Sequence, residues 1–127
     1  MERPTVLVIE DSVDLRNKEA TLLRAAGFDV VVAGDGSRGC ELARERLPDV
    51  IVTDAMLPGK TGFDICAELK RDPACGGIPI LITTSITEGT EQTDEHWRRK
   101  TGADDFMSKP FSSEVFVERV RKLLARR

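Results

Sequence analysis

Acidic side chains follow two apolar runs of this sequence, and a lysine follows another. Glu10 and Asp11 come directly after one run and Asp54 after a second, while Lys109 and Pro110 follow a third. Carboxylates that converge in one crevice raise each other's pKa unless a cation lies among them. Mg²⁺ suits such a place because it prefers oxygen, takes few protein ligands and keeps water and a phosphate oxygen in its shell. These residue types predict a divalent-cation site with an ammonium group opposite, although capping of the next helix explains Asp11 equally well when it is taken alone.

Alternating apolar runs and amphipathic segments decide where these side chains lie. Continuous β-branched runs are typical of strands that are buried on both faces of a parallel sheet. The predicted strands cover residues 5–9, 28–33, 49–53, 78–84 and 105–108. The first predicted helix is capped by Asp11 or Ser12 and the last by Ser112 or Ser113, and the three helices between them cover 37–47, 63–71 and 91–101. Five such β-α units predict an α/β fold, a doubly wound five-stranded parallel sheet with helices on both faces. The ligand site of such a sheet lies beyond the carboxyl ends of its strands.

Composition limits the class of protein. The 127 residues, 40% hydrophobic and 32% charged, fit a single domain over 1–127 with one contiguous core. A net charge of -3 argues against direct binding of nucleic acid, whose phosphates need a clustered positive surface. We find neither a secretory signal pattern nor the roughly 20 apolar residues that a membrane span needs. Three cysteines without C-x-x-C spacing suggest neither disulfides nor zinc, and Cys40 and Cys66 are predicted to be reduced core thiols. We therefore expect a cytoplasmic protein.

The combined pattern resembles that of response regulator receiver domains. The resemblance rests on Glu10-Asp11, Asp54, Thr84 and Lys109-Pro110, and on a loop from Asp54 to Gly62 that has Pro58 and Gly59 in the expected places. It covers essentially the whole chain and implies a (βα)₅, flavodoxin-like fold with strand order 2-1-3-4-5. It also implies a phosphoprotein of a two-component system, which carries a 4-aspartylphosphate and is not an enzyme beyond its own phosphoryl transfer and dephosphorylation.

The resemblance also implies partners. A sensor histidine kinase or a phosphotransfer protein is expected to supply the phosphoryl group, and a downstream effector protein or fused output domain is expected to read it. Phosphorylation-dependent homodimerisation is compatible with the family. The switched output surface is expected on the fourth predicted helix, the fifth strand and the last helix.

The resemblance assigns a role to each matching residue. Asp54 corresponds to the nucleophile that forms an acyl phosphate. Mg²⁺ would be held by Asp11, by Asp54 and by the backbone carbonyl of Met56, with Glu10 acting directly or through a metal-bound water. Lys109 would face the phosphoryl oxygens, where charge spreads in a loose transition state. The Thr84 hydroxyl and the Ser85 backbone N–H would contact the phosphoryl group, Phe106 would occupy the place of the switch aromatic, and the Lys109–Pro110 bond is expected to be cis.

Some features keep a second function open. Glu10 stands where aspartate is common in the family, Phe106 lacks the hydroxyl of the frequent tyrosine, and residues 86–90 lengthen a loop beside the site. These departures are compatible with a phosphorylation-independent pseudo-receiver that binds a protein partner through the same fold. Phe106 is also explained as an ordinary core residue.

A glycine-rich segment imitates a dinucleotide-binding motif. Residues 34–39 match G-x-G-x-x-G, but they follow the second predicted strand, whereas such a motif belongs to the first β-α unit of its fold. The pair Asp35-Gly36 is more simply a tight turn into a helix. We therefore predict no nucleotide cofactor.

Overall fold

Five parallel strands form one sheet in the computed structural model, which describes residues 3–84, 102–109 and 112–126. The strands are β1 (Thr5–Ile9), β2 (Asp29–Ala33), β3 (Val50–Asp54), β4 (Ile80–Thr84) and β5 (Asp105–Ser108). The strand order is β2-β1-β3-β4-β5, as predicted, so the chain reverses direction of winding at β1. The carboxyl ends of β1, β3 and β4 therefore lie side by side at one edge of the sheet.

Helices cover both faces of this sheet. The described helices are α1 (Val13–Ala25), α2 (Gly36–Arg46), α3 (Gly62–Arg71) and α4 (Ser113–Ala125). The predicted helix over 91–101 lies outside the described residues, as do Ser85 and Pro110. No described helix is long and apolar enough to cross a membrane.

Alternate strand residues belong to two separate cores, one on each face of the sheet, so the expectation of one contiguous core was wrong. Leu7 and Ile9 of β1 belong to the core beneath α2 and α3, which also contains the three cysteines, all of them buried and unoxidised. Val6 and Val8 belong to the core beneath α1 and α4. This alternation confirms that the sheet is buried on both faces, which the continuous apolar runs predicted.

Side-chain caps fix the helix starts and settle two alternatives that the sequence left open. Ser12 caps α1 by accepting a hydrogen bond from the Leu15 N–H at 3.3 Å. Ser112 caps α4 in the same way, accepting from the Val115 N–H at 3.1 Å. Since Ser12 takes the capping role, Asp11 remains available for another function.

A few predicted boundaries were wrong by one or two residues. Strand β4 begins at Ile80 rather than Ile78, because Pro79 has no N–H for a ladder hydrogen bond, although its carbonyl accepts from Ile51. Strand β3 includes Asp54, which pairs with Thr83 of β4. Asp54 is therefore held in the sheet itself and not in the loop that follows.

Candidate functional site

The register of the sheet brings three predicted site positions to one edge. Asp54 is the last residue of β3, Thr84 is the last residue of β4, and Glu10 directly follows β1. Lys109 directly follows β5, and its backbone N–H donates to the Thr84 carbonyl at 2.7 Å. That hydrogen bond extends the β4–β5 ladder by one residue and fixes the point from which the lysine side chain departs.

Lys109 links the two carboxylates across this edge. Its Nζ lies 3.0 Å from Asp54 Oδ2, at hydrogen-bond distance. The same Nζ lies 3.5 Å from Glu10 Oε1, close enough for an ion pair, although the contact does not satisfy hydrogen-bond geometry. The structure thus brings Glu10, Asp54 and Lys109 together, as the sequence predicted.

The loop after β3 holds the Asp54 side chain from the other side. The Met56 N–H donates to Asp54 Oδ1 at 3.0 Å, so each carboxylate oxygen accepts one hydrogen bond. Gly62 closes this loop against the strand, since its N–H donates to the Ala55 carbonyl at 3.0 Å. A Cβ at Gly62 would lie 2.4 Å from the Asp54 carbonyl oxygen, so this close approach requires glycine.

Burial gives the site an unusual charge balance. Burial, followed by the charge of Asp54, raises the pKa of Glu10 to about 7, while Lys109 acts in the opposite direction. Burial also lowers the pKa of Lys109, but its hydrogen bond to Asp54 and the charges of Asp54 and Glu10 outweigh this, so that pKa is raised overall. Lys109 is therefore a permanent cation here, and Glu10 is the acid whose charge depends most on what binds beside it.

The donor set fits a small hard cation. Glu10 Oε1 is fully buried and has no hydrogen-bond partner, so an oxygen atom with an unused lone pair faces this edge. Asp11 is exposed next to it, and the exposed Met56 lies in the loop that carries the predicted carbonyl ligand. Within 3–84, 102–109 and 112–126, no three His, Cys, Asp or Glu side chains form a metal-ligand cluster. An ion held here would therefore depend on backbone oxygen and water as well as carboxylates, which is how proteins bind Mg²⁺.

The remaining predicted residues lie around this centre. Thr84 is buried at the end of β4, next to the predicted phosphoryl-contact position, and Phe106 is fully buried in the core on the α2–α3 side of the sheet. Ser85 and the Lys109–Pro110 bond involve residues outside the described part of the chain. The glycine-rich segment 34–39 leads into α2, which Asp35 caps by accepting from the Arg38 N–H at 2.8 Å.

Sequence reasoning missed one acidic residue near this site. Glu19 lies on α1 and is only 6% exposed. Burial raises its pKa to about 7, and the charges of Lys109 and Asp54 both act on it, which places it close to the site. A signal was present in the sequence, because Glu19 lies four residues after Leu15 and three before Leu22, on the same stripe of the helix.

Comparison with known proteins identifies relatives along nearly the whole chain. The family model for the response regulator receiver domain matches residues 6–121. The DNA-binding response regulator MtrA of Mycolicibacterium smegmatis is 39% identical over 124 residues, which cover 98% of this chain and 52% of that protein. The chain spans about half the length of MtrA and of the other curated relatives like it. Protein PilH of Pseudomonas aeruginosa is 32% identical over 120 residues, covering 94% of this chain and 97% of that protein.

Solved structures have the same architecture. The receiver domain of the Francisella response regulator 1452 matches with a TM-score of 0.85 and 31% identity, covering 98% of each chain. The chemotaxis response regulator CheY4 of Vibrio cholerae matches with a TM-score of 0.84 and 27% identity, covering 96% of this chain and 99% of that one. These matches confirm the strand order and layering described above.

Proposed function

Because this chain belongs to the response regulator receiver domain family, we propose that it accepts a phosphoryl group on Asp54 in a Mg²⁺-dependent reaction and thereby switches the binding of a partner protein. The observation that carries the proposal is the placement of Asp54 between the Lys109 ammonium group and the Met56 N–H, each 3.0 Å from one carboxylate oxygen. A carboxylate held in this way lies at the edge formed by the carboxyl ends of the strands, where a phosphoryl donor can approach its oxygen atoms.

The transfer itself needs little covalent chemistry from the protein. One Asp54 oxygen bonds to phosphorus while the bond from phosphorus to the donor nitrogen or oxygen breaks, and the leaving group takes the electron pair. An imidazole nitrogen then takes a proton from water, whereas the acetate of acetyl phosphate leaves as the anion. The product is an acyl phosphate on Asp54. The protein contributes position and charge, which supply most of the catalysis in phosphoryl transfer.

Lys109 is proposed to follow the negative charge as it moves. In the structure its ammonium group pairs with Asp54 Oδ2 at 3.0 Å. When that carboxylate becomes an acyl phosphate, the phosphoryl oxygens take over the charge, and a flexible four-carbon side chain can reach them from the same backbone position. Because the pKa of Lys109 is raised, the group stays charged throughout.

Glu10, Asp11, Asp54 and the Met56 carbonyl are proposed to hold Mg²⁺. When bound, the ion would neutralise the carboxylates and stabilise the charge on the transferring group. Glu10 offers a buried oxygen with no hydrogen-bond partner, and the Lys109 ammonium group 3.5 Å away offsets only part of its desolvation, so a bound cation would stabilise it further. Asp11 is exposed and is not the cap of α1, since Ser12 takes that role, so its carboxylate is proposed to turn toward the ion.

The switch is proposed to run through Thr84 and Phe106. Thr84 is the last residue of β4 and is paired with Ser108, two residues after Phe106 on the neighbouring strand. Movement of the Thr84 hydroxyl to the phosphoryl group would change the packing beside Phe106 and so bias the surface formed by β5 and α4. The phosphoryl donor would be a histidine kinase or phosphotransfer protein, and the reader would be an effector protein or a fused output domain.

The proposal can be tested with a small phosphoryl donor. The protein is incubated with acetyl phosphate and MgCl₂, and intact mass is followed with time. We expect one phosphoryl adduct that disappears in Asp54→Asn and on chelation with EDTA. Asp29→Asn is the matched control, because Asp29 is an exposed acid at the amino end of β2, on the opposite edge of the sheet. Absence of an adduct would overturn the proposal and leave a phosphorylation-independent binding module as the better explanation. Survival of the adduct in Asp54→Asn would overturn the assignment of Asp54 as the phosphorylated residue.

A further inference from the structure

A cavity of about 220 Å³ lies between α1 and α4, behind the site described above. Its wall is mostly apolar, from Leu15 and Leu22 of α1 and Phe116 of α4. The Lys109 side chain forms the wall on the side of the site, and Ser113 lies at the start of α4. The cavity is therefore a compartment with an apolar body and a few polar groups at its edge, the usual composition of a small-molecule site.

Glu19 is the polar group whose placement the fold does not explain. It lines this cavity, it is 94% buried, and none of the described residues gives its carboxylate a hydrogen bond or an ion pair within 4 Å. A carboxylate with so little contact with water is costly to ionise unless an opposite charge lies beside it. The position is on the inward stripe of α1, where an apolar side chain would pack without that cost.

The charges around Glu19 come from three elements. Lys18 precedes it on α1, and its exposed side chain also lines the cavity. Lys109, which follows β5, lines the same cavity, and the charges of Lys109 and of Asp54 at the end of β3 both act on the pKa of Glu19. Lys109 already pairs with Asp54 at 3.0 Å, so its charge is committed to the phosphoryl-transfer site. No described ammonium or guanidinium group lies within 4 Å of Glu19, so its carboxylate has no counter-ion among the described residues.

We propose that this cavity binds a small organic cation, with Glu19 as its counter-ion. The ligand class is a primary ammonium or amidinium group on an apolar body about the size of a benzene ring. The head group would donate to the Glu19 carboxylate, and the body would pack against Leu15, Leu22 and Phe116. The inference does not rest on the proposed phosphorylation, since no step of it involves Asp54.

The dimensions set the size of the ligand. An engineered cavity of about 150 Å³ in another protein accommodates benzene. The space here is larger and opens to solvent beside the exposed Leu15 and Lys18, so one further polar group of two or three heavy atoms has room and a longer chain would extend through this opening. Benzylammonium has this size and charge, and benzyl alcohol has nearly the same shape without the charge.

The test compares these two probes by isothermal titration and by NMR of the leucine methyl groups. We expect benzylammonium to shift the methyl signals of Leu15 and Leu22 and to bind at least 10-fold more tightly than benzyl alcohol. In Glu19→Gln the benzylammonium affinity should fall about 10-fold to 100-fold, the range for loss of a charged hydrogen bond. Benzyl alcohol should be affected less than about threefold. Binding to the wild type near pH 7 should also release a fraction of a proton, seen as a dependence of the heat on the buffer, because a cation favours the ionised carboxylate.

A second variant distinguishes loss of the ligand site from loss of folding. Leu22→Trp fills the cavity and leaves Glu19 in place, and we expect it to abolish the binding of both probes. Thermal unfolding and the spectra without ligand show whether each variant is folded. Equal affinity of the two probes for the wild type, an unchanged benzylammonium affinity in Glu19→Gln, or no methyl shift at millimolar probe would each overturn the proposal. Failure of the acetyl phosphate experiment would leave this inference untouched, since the two readouts are independent.

Discussion

The buried carboxylate of Glu19 leads to a quantitative prediction about stability. Burial raises its pKa from the ordinary 4.5 to about 7. At about 1.4 kcal/mol per pH unit, full ionisation of Glu19 in the folded protein therefore costs about 3 kcal/mol. Glu19→Gln removes this charge and keeps the shape of the side chain. The variant should be more stable than the wild type wherever Glu19 is ionised.

The sign depends on pH in a defined way. The folded state binds the Glu19 proton more tightly than the unfolded state, so the free energy of unfolding of the wild type falls as the pH rises from about 4.5 to 7. The glutamine variant lacks this dependence. Its gain in the free energy of unfolding over the wild type should therefore be larger at pH 8 than at pH 5. The difference should be about 2 to 3 kcal/mol at most, and at least about 1 kcal/mol if the unfolded chain is partly compact.

Urea unfolding at the two pH values measures this difference directly. Other titrating groups contribute equally to the wild type and the variant, so they cancel in the comparison as long as they are not coupled to Glu19. Glu45→Gln serves as the matched control, because Glu45 is exposed in the last turn of α2, so the same substitution is made there outside the core. The reasoning is refuted if the advantage of Glu19→Gln is equal at pH 5 and pH 8, or larger at pH 5.

Three further predictions concern other parts of the molecule. Lys109→Met should slow the phosphorylation of Asp54 by acetyl phosphate about 100-fold, the usual effect of removing one charge-stabilising donor; an intact-mass time course within threefold of the wild type would contradict this. Gly62→Ala should lower the free energy of unfolding in a urea titration by at least about 2 kcal/mol, since the added Cβ would lie 2.4 Å from a backbone oxygen. Gly77→Ala is the control, because a Cβ there would have no atom within 4 Å, and it should change the free energy of unfolding by less than about 0.5 kcal/mol. Burial raises the pKa of Cys40 to about 11 and also raises those of the other two cysteines, so Ellman's reagent should modify all three only after urea is added, and a thiol that reacts at once in the native protein would show this burial to be wrong.

Much of the fold could be predicted because each central strand corresponds to a short run of β-branched and other apolar residues in the sequence. Residues 6–9 and 50–52 alternate between two buried cores, which is the burial that a continuous apolar run predicts for a central strand. Strand ends were less certain because they depend on single hydrogen bonds. Pro79 cannot donate to the ladder, and Asp54 is held in β3 by its pairing with Thr83, a contact between residues far apart in the chain.

The residues of the candidate site that directly follow or end a strand could be predicted from the sequence. The residue that was missed is a charged side chain buried within a helix. Glu10, Asp54 and Lys109 were found because the carboxyl ends of parallel strands meet at one edge. Glu19 was missed because a glutamate within a helix is ordinarily solvent-exposed. Its position between Leu15 and Leu22 on one stripe was visible, but only the packing of α4 against α1 shows that this stripe is covered.

The charges at the sheet edge suggest an order of events. When Glu10, Asp11 and Asp54 are ionised they carry three negative charges against the single positive charge of Lys109, so the edge has a net charge of -2. A phosphoryl donor is itself an anion and would be repelled from such an edge, at a cost that is large because Glu10 and Asp54 are largely shielded from water. A divalent cation held by these residues would bring the sum to zero, which would remove the repulsion of the donor. Without the cation, protonation of Glu10 relieves the same excess of negative charge. Burial and the charge of Asp54 raise the pKa of Glu10 to about 7, and a bound ion would oppose both effects. Cation binding and deprotonation of Glu10 should therefore be linked, and the cation should bind before the phosphoryl donor.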